Sequence, residues 1–155
     1  MADRSPDKFV DDERATLTRL LQFQRESFVR KVVGVTDADA SASPVTSGTT
    51  LLWLANHVAD AETIWVLDRF AGRDTAPFGS HHAATLHDAI ARYERTWVDV
   101  DAVVRTASLD DVTRESSGGP IVSMRWILAH LLEEVARHAG HADILRELID
   151  GETGR

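Results

Sequence analysis

Cysteine is absent from this sequence of 155 residues. Its absence excludes disulfide bonds, thiolate-ligated zinc, iron–sulfur clusters and a cysteine nucleophile. Any metal site must therefore use nitrogen and oxygen ligands, and seven histidines are available to supply the nitrogens. A reaction that needs a thiol must take it from a separate small molecule.

Basic residues are also scarce relative to acidic ones. The chain has 17 Lys and Arg against 25 Asp and Glu, which gives a net charge of −8 with histidine neutral. A nucleic-acid-binding surface needs basic residues to neutralise phosphates, and an anionic membrane attracts basic segments. The composition therefore predicts neither a nucleic-acid partner nor a membrane partner.

Long hydrophobic runs are missing as well. No apolar stretch reaches the roughly 18 residues that a membrane-spanning helix needs. The first residues are acidic and polar, and they lack the apolar core of a secretory signal. We therefore expect a cytoplasmic protein, and the length predicts a single domain over residues 1–155.

Four amphipathic segments account for most of the chain, and none alternates for long as a strand does. They cover residues 6–33, 49–70, 85–107 and 123–149, and the segments between them contain turn-forming residues. Four long helices without a sheet predict an all-α four-helix bundle. The alternative is an extended helical dimer in which the apolar stripes pair between chains.

Polar residues interrupt the apolar stripe of the fourth segment. At about 100° per residue, His138 lies between Leu131 and Leu145 on that stripe, and Glu134 and His141 lie within about 60° of it. Polar groups on a core-facing side need partners. We therefore expect either a bound ligand or internal hydrogen bonds at this face.

A metal site is one interpretation of these residues. Glu134 and His138 are four residues apart, which places both side chains on one face of a helix. His57 lies among apolar residues of the second segment and is a candidate third ligand. Two histidines and one carboxylate, with positions left open, are typical of a catalytic metal site. The alternative is a set of core residues that hydrogen-bond to one another or to the backbone.

Three stretches of the sequence resemble a known superfamily. Residues 54–62 (LANHVADAE) are similar to the L-x-x-H signature, with a later Glu, on the second helix of DinB-like proteins. Residues 133–147 (EEVARHAGHADILRE) are similar to their fourth-helix signature, and residues 149–154 to the tail of an actinobacterial-type branch. The resemblance covers nearly the whole chain. The superfamily includes mycothiol-dependent maleylpyruvate isomerases and bacillithiol transferases.

The resemblance implies an up-down-down-up four-helix bundle, often dimeric, with one metal ligand on the second helix and two on the fourth. Carried over, the ligands are His57, Glu134 and His138. Most members have His where this chain has Glu134, and the maleylpyruvate isomerases share its Glu–His pair. His141 follows one turn later, so it stays open whether Glu134 or His141 is the third ligand. Whichever of these two residues is not a ligand would hold a ligand or a water in place.

The resemblance also implies a divalent metal, zinc first and nickel second, and a small thiol such as mycothiol. The metal would lower the pKa of the thiol, and the thiolate would attack a small electrophile in a transfer or an isomerisation. We expect His141 or His130 to move protons and Arg137 to reach a substrate carboxylate. The alternatives are a metal-dependent hydrolase and a non-catalytic metal-binding or stress protein. An apolar helical flank would favour a homodimer.

Overall fold

The computed structural model describes residues 4–115 and 118–153 of the chain. Ser116 and Ser117 belong to the loop between the third and fourth predicted helices and lie outside the described residues. Gly154 also lies outside the described residues, and it ends the tail that carries part of the family resemblance. Residues 1–3 and 155, at the two ends of the predicted domain, lie outside them as well.

Helices dominate the described chain. In order they are α1 (Glu13–Val32), α2 (Asp37–Ser41), α3 (Leu51–Glu62), a π-helical segment (Thr63–Phe70), α4 (Leu86–Thr106) and α5 (Met124–Asp150). No helix within residues 4–115 and 118–153 is both long enough and apolar enough to cross a membrane.

Side-chain caps decide where the long helices begin. The first helix begins at Glu13, and the prediction that it starts at Pro6 is wrong. The reason is that Asp12, in an extended conformation, accepts a hydrogen bond from the Ala15 amide at 2.8 Å. Such a cap satisfies an amide that would otherwise lack a partner inside the helix. The other long helices are capped in the same way, by Thr50, Thr85 and Ser123.

Two further departures concern the second predicted helix and the loop before it. The helix changes its hydrogen-bonding pattern after Glu62, and the Ala71 amide bonds to the Val66 carbonyl five residues earlier, at 2.9 Å. Such π-helical turns are rare and occur often at functional sites. The preceding predicted loop, 35–50, contains the short helix α2, which Thr36 caps.

The four long helices enclose one apolar core. Helix α1 packs against α5, and α3 packs against both α4 and α5. The apolar stripes meet within a single chain, rather than between chains as in an extended dimer. The prediction of an all-α, up-down-down-up four-helix bundle is confirmed. The largest fully buried apolar side chains include Phe28, Tyr93, Met124, Ile127 and Leu131.

A charged pair lies inside this core. Arg25 of α1 and Glu62 of α3 are 1% and 0% exposed, and the guanidinium donates two hydrogen bonds to the carboxylate, at 2.9 and 2.5 Å. The Tyr93 hydroxyl donates to the same carboxylate at 3.1 Å, and Arg25 also donates to Asp101 at 2.9 Å. Burial, together with the charge of Glu62, raises the pKa of Tyr93 well above its ordinary value. The network therefore links α1, α3 and α4.

Candidate metal centre

Three of the residues singled out in the sequence meet between α3 and α5. His57 lies on α3, while Glu134 and His138 lie one turn apart on α5. Nε2 of His57 lies 2.9 Å from Oε1 of Glu134, and Nε2 of His138 lies 3.0 Å from the same oxygen. One potential ligand atom from each residue falls within 4.8 Å of the other two. The structure thus brings a His–Glu–His group together on two helices.

The chemistry of these donors fits a divalent metal. Ligand atoms at about 2.0–2.1 Å from a tetrahedral zinc ion are roughly 3.4 Å apart. The atoms of this group are 2.9 and 3.0 Å apart in two pairs, and all three lie within 4.8 Å of one another. Both imidazoles direct Nε2 at one carboxylate oxygen, so a cation among them would have three converging ligands. Two nitrogens and one oxygen suit zinc or nickel and leave coordination positions for a substrate.

Aromatic packing fixes the ring of His57. Trp53, one turn earlier on α3, stacks on it at 4.6 Å between centroids and 15° between planes, and the edge of Phe78 approaches it at 5.6 Å. Nδ1 of His57 is buried and has no hydrogen-bond partner among the described residues. The packing thus holds the ring with Nε2 facing Glu134.

The surroundings of Glu134 and His138 favour the ionised carboxylate and the neutral imidazole. Burial works to raise the pKa of Glu134, but the hydrogen bonds from His57 and His138 outweigh it and hold that pKa below its ordinary value. Burial and the nearby charge of His57 lower the pKa of His138, against the opposing effect of Glu134. Metals bind ionised carboxylates and neutral imidazoles. Both shifts therefore favour the protonation states that a metal needs.

His141 lies at the edge of the group. Its Nδ1 is 3.4 Å from Nδ1 of His138, on the side of that ring opposite Glu134. The side chain is exposed, whereas the helical angle predicted a core-facing residue. A residue that contacts the ring nitrogen facing away from a metal can fix the orientation of the metal-binding imidazole. His141 contacts His138 in this way.

The other two predicted residues have different surroundings. His130 stacks on Trp126 at 4.9 Å and meets the edge of Trp65 at 5.2 Å, so it belongs to an aromatic cluster two turns before His138. Arg137 pairs with Glu133, and its Nη1 lies 3.5 Å from Oε2 of Glu134. Arg137 thus contacts the oxygen of Glu134 that the two histidines leave unused.

The loop after the π-helical segment is anchored to the helix that carries His57. Asp60 accepts hydrogen bonds from the Gly79 amide at 2.9 Å and from Nε2 of His82 at 3.0 Å, and it pairs with Arg92 of α4. This anchor holds the part of the loop that contains Phe78.

A second anchor comes from Asn56, the residue before His57. Its side-chain amide donates to the Ala83 carbonyl at 3.1 Å and accepts from the Ala83 amide at 2.8 Å. Asn56 is 2% exposed, so this backbone-like pairing is shielded from water. Two buried residues of α3 therefore fix the loop beside the His–Glu–His group.

We predict that Asp60→Asn lowers stability in a pH-dependent way. Burial works to raise the pKa of Asp60, but the hydrogen bonds from Arg92 and Gly79 lower it overall. Because the pKa of Asp60 is lower in the folded protein than in the unfolded chain, where it is about 3.9, the ionised carboxylate stabilises the fold at any pH above that value. This stabilisation is lost as the pH falls through the pKa of the folded state. Urea unfolding at pH 7 should show a loss of about 1.5–3 kcal/mol. The difference from wild type should shrink towards pH 3, and a constant difference would contradict the assignment.

Four residues that shape this site do not stand out in the sequence pattern. Trp53 could have been found, because it precedes His57 by four residues and therefore shares its helix face. Asn56 and Asp60 lie within the quoted second-helix motif, but their partners are distant in sequence, in the loop that contains Gly79 and Ala83 and, for Asp60, also on α4. Phe78 reaches His57 from that loop, and no spacing rule predicts such a contact.

Comparison with known proteins identifies a family and a similar fold. A family model described as mycothiol-S-transferase matches residues 16–151. A crystal structure described as the conserved protein of locus from Enterococcus faecalis is similar to this fold with a TM-score of 0.67. The match covers 92% of this chain and 100% of that one at 16% identity, so it bears on the fold alone. None of the curated proteins matches this chain significantly.

Proposed function

Since the chain belongs to the mycothiol-S-transferase family, we propose that it joins mycothiol to a small electrophile with the help of a divalent metal. The observation that carries the metal dependence is the convergence of His57 and His138 on one oxygen of Glu134. A chain without cysteine must obtain its nucleophilic sulfur from a separate thiol, which agrees with the family.

The proposed metal ligands are His57, Glu134 and His138. Glu134 is preferred to His141 as the third ligand because its Oε1 lies within 3.0 Å of both Nε2 atoms, whereas His141 contacts the far nitrogen of His138. The donor set suits zinc first and nickel second. The bound metal would supply a positive charge that lowers the pKa of a thiol.

The neighbouring residues have separate proposed roles. His141 is exposed, so its imidazole could take the thiol proton and release it to solvent. Arg137 holds Oε2 of Glu134 and so turns Oε1 towards the two histidines. Trp53 and Phe78 fix the His57 ring. His130 lies in a different cluster and has no role in this proposal.

We predict that activity follows the metal and the thiol together. A free thiol with a pKa near 8.5 is only about 3% thiolate at pH 7, so full ionisation would raise the rate about 30-fold. The zinc-loaded protein should therefore form the thioether of mycothiol and monobromobimane up to about 30-fold faster than the chelator-treated protein. Reloading with zinc should restore the rate.

Product masses separate this proposal from hydrolysis. The reaction of mycothiol with an alkyl bromide gives a thioether, whereas a metal-dependent hydrolase would give the alcohol with or without thiol. A metal-dependent alcohol product would favour the hydrolase. If the zinc-loaded protein yields neither product above the uncatalysed rate over a panel of electrophiles, the transferase proposal is wrong.

A further inference from the structure

A pocket opens beside the candidate metal centre. Its volume is about 320 Å³, and it lies between α5 and the segment that precedes α3. This size is at the small end of the range of ligand pockets, roughly 300–1,000 Å³. Its lining consists of Val45, Ser47, Thr49, His141, Ile144 and Leu145.

The pocket is connected to the His–Glu–His group by one side chain. His141 lines the pocket and also approaches Nδ1 of His138 at 3.4 Å. Along α5, Ile144 and Leu145 follow His138 by six and seven residues, which is roughly 10 Å at 1.5 Å per residue. A small molecule in the pocket would thus have its near end at His141 and its far end at these alkyl groups.

Three of the six lining residues are apolar, two carry neutral hydroxyls, and His141 is the one residue among them that can carry a charge. The lining contains no Lys, Arg, Asp or Glu in the part of the chain that the structure describes. The hydroxyls of Ser47 and Thr49 lie 3.0 Å apart and form a hydrogen bond with each other. Arg137, the cation that contacts Glu134, is already paired with Glu133 and Glu134. An anionic group would lose its water here without gaining a charged partner.

We infer that this pocket binds the electrophile, and that the electrophile is a small, uncharged and largely apolar molecule. The inference rests on the proposed transferase function and adds its substrate class. A polyhydroxylated sugar thiol such as mycothiol needs many polar partners, and the alkyl groups of Val45, Ile144 and Leu145 do not provide them. With an aryl chloride, the sulfur–carbon bond would form as the carbon–chlorine bond breaks. Chloride would leave with the bonding pair, and the thiol proton would pass by way of His141 to water.

The test uses an unreactive ligand and a matched pair of variants. Ile144 and Leu148 lie one turn apart on α5 and are 58% and 56% exposed, but only Ile144 lines the pocket. The probe is 2,4-dinitrotoluene, which has no leaving group, and its binding to the zinc-loaded protein is measured by calorimetry. Ile144→Asp should weaken binding at least tenfold, whereas Leu148→Asp should stay within twofold of wild type. Equal binding by Ile144→Asp and wild type would overturn the inference.

Two controls separate a lost pocket from a lost fold or a lost metal. Circular dichroism and zinc content should be the same in wild type and both variants. Val45→Trp would fill the pocket from the opposite wall without adding a charge, and it should weaken binding of the probe as Ile144→Asp does. Undiminished binding by Val45→Trp would also count against the pocket.

The substrate class is tested with two reactive compounds. With mycothiol and zinc-loaded protein, kcat/KM should be at least tenfold higher for 1-chloro-2,4-dinitrobenzene than for 4-chloro-3,5-dinitrobenzoate, which carries a carboxylate. A preference for the carboxylate would overturn the inferred class. If neither compound reacts but 2,4-dinitrotoluene binds in the expected pattern, the transferase proposal fails and the pocket assignment stands.

Discussion

His57→Ala should purify without a bound metal, whereas wild type should carry close to one divalent ion per chain. His57 is the one member of the His–Glu–His group that α3 contributes, so its loss leaves Glu134 and His138 on a single helix. Two ligands one turn apart cannot surround an ion from both sides of the site. Elemental mass spectrometry on untagged protein measures the content directly, because an added histidine tag would bind metal itself.

His130→Ala is the matched control for this variant. His130 stacks on Trp126 at 4.9 Å and 17°, much as His57 stacks on Trp53 at 4.6 Å and 15°. Both substitutions remove a partly buried imidazole from a tryptophan face, so their packing losses should be similar. Only His57→Ala should lose the metal. Equal metal content in both variants would show that His57 is not a ligand.

Metal binding should also appear as a gain in stability. An ion that binds only the folded chain stabilises it by about 2.7 kcal/mol at a free concentration 100 times its Kd. Zinc should therefore raise the urea midpoint of wild type and of His130→Ala, and it should leave His57→Ala unchanged. Circular dichroism should show that all three proteins keep their helices, since loss of one imidazole is a modest packing defect.

Glu62→Gln should cost about 3–5 kcal/mol of folding free energy. The substitution keeps the shape of the side chain, but it leaves the Arg25 guanidinium buried without its carboxylate partner. Asp101 also pairs with Arg25, but its side chain is 50% exposed and screened by water. For a domain whose stability is typically 5–15 kcal/mol, this loss would be a large fraction of the total. Urea unfolding followed by circular dichroism measures it.

Glu13→Gln is the control for an exposed pair. Glu13 pairs with Arg125 at 2.7 Å, and their side chains are 53% and 41% exposed. Surface ion pairs contribute roughly 0–1 kcal/mol, so this variant should stay within about 1 kcal/mol of wild type. If Glu62→Gln cost no more than Glu13→Gln, the buried pair would not stabilise the fold in the way we infer.

A double variant separates the pair itself from the isolated charge. Replacing Arg25 and Glu62 together by methionine removes both charges and keeps most of the buried volume. Such replacements are often neutral or stabilising. The double variant should therefore recover much of the loss seen in Glu62→Gln, less the cost of a Tyr93 hydroxyl without its acceptor. A double variant as unstable as the single one would assign the loss to packing instead.

Local sequence rules were enough to predict the four long helices and to place two candidate ligands on one face of a helix. The 3.6-residue period identifies four long segments, and the same period places Glu134 and His138 on one face. The absence of cysteine and the charge of −8 by themselves limit the chemistry that the chain can perform. The same rules misplaced the start of the first helix, which begins after the Asp12 cap and not at Pro6.

Only the tertiary structure decided which residues meet. His57 and Glu134 are 77 residues apart, and their contact depends on how α3 packs against α5. The exposure of His141 also depends on packing. The helical angle gives the direction of a side chain, but it does not tell whether a neighbouring helix covers that direction. Phe78 reaches His57 because Asp60 and Asn56 hold its loop. Periodicity acts within one helix, whereas contacts between helices and loops depend on the packing of the whole chain.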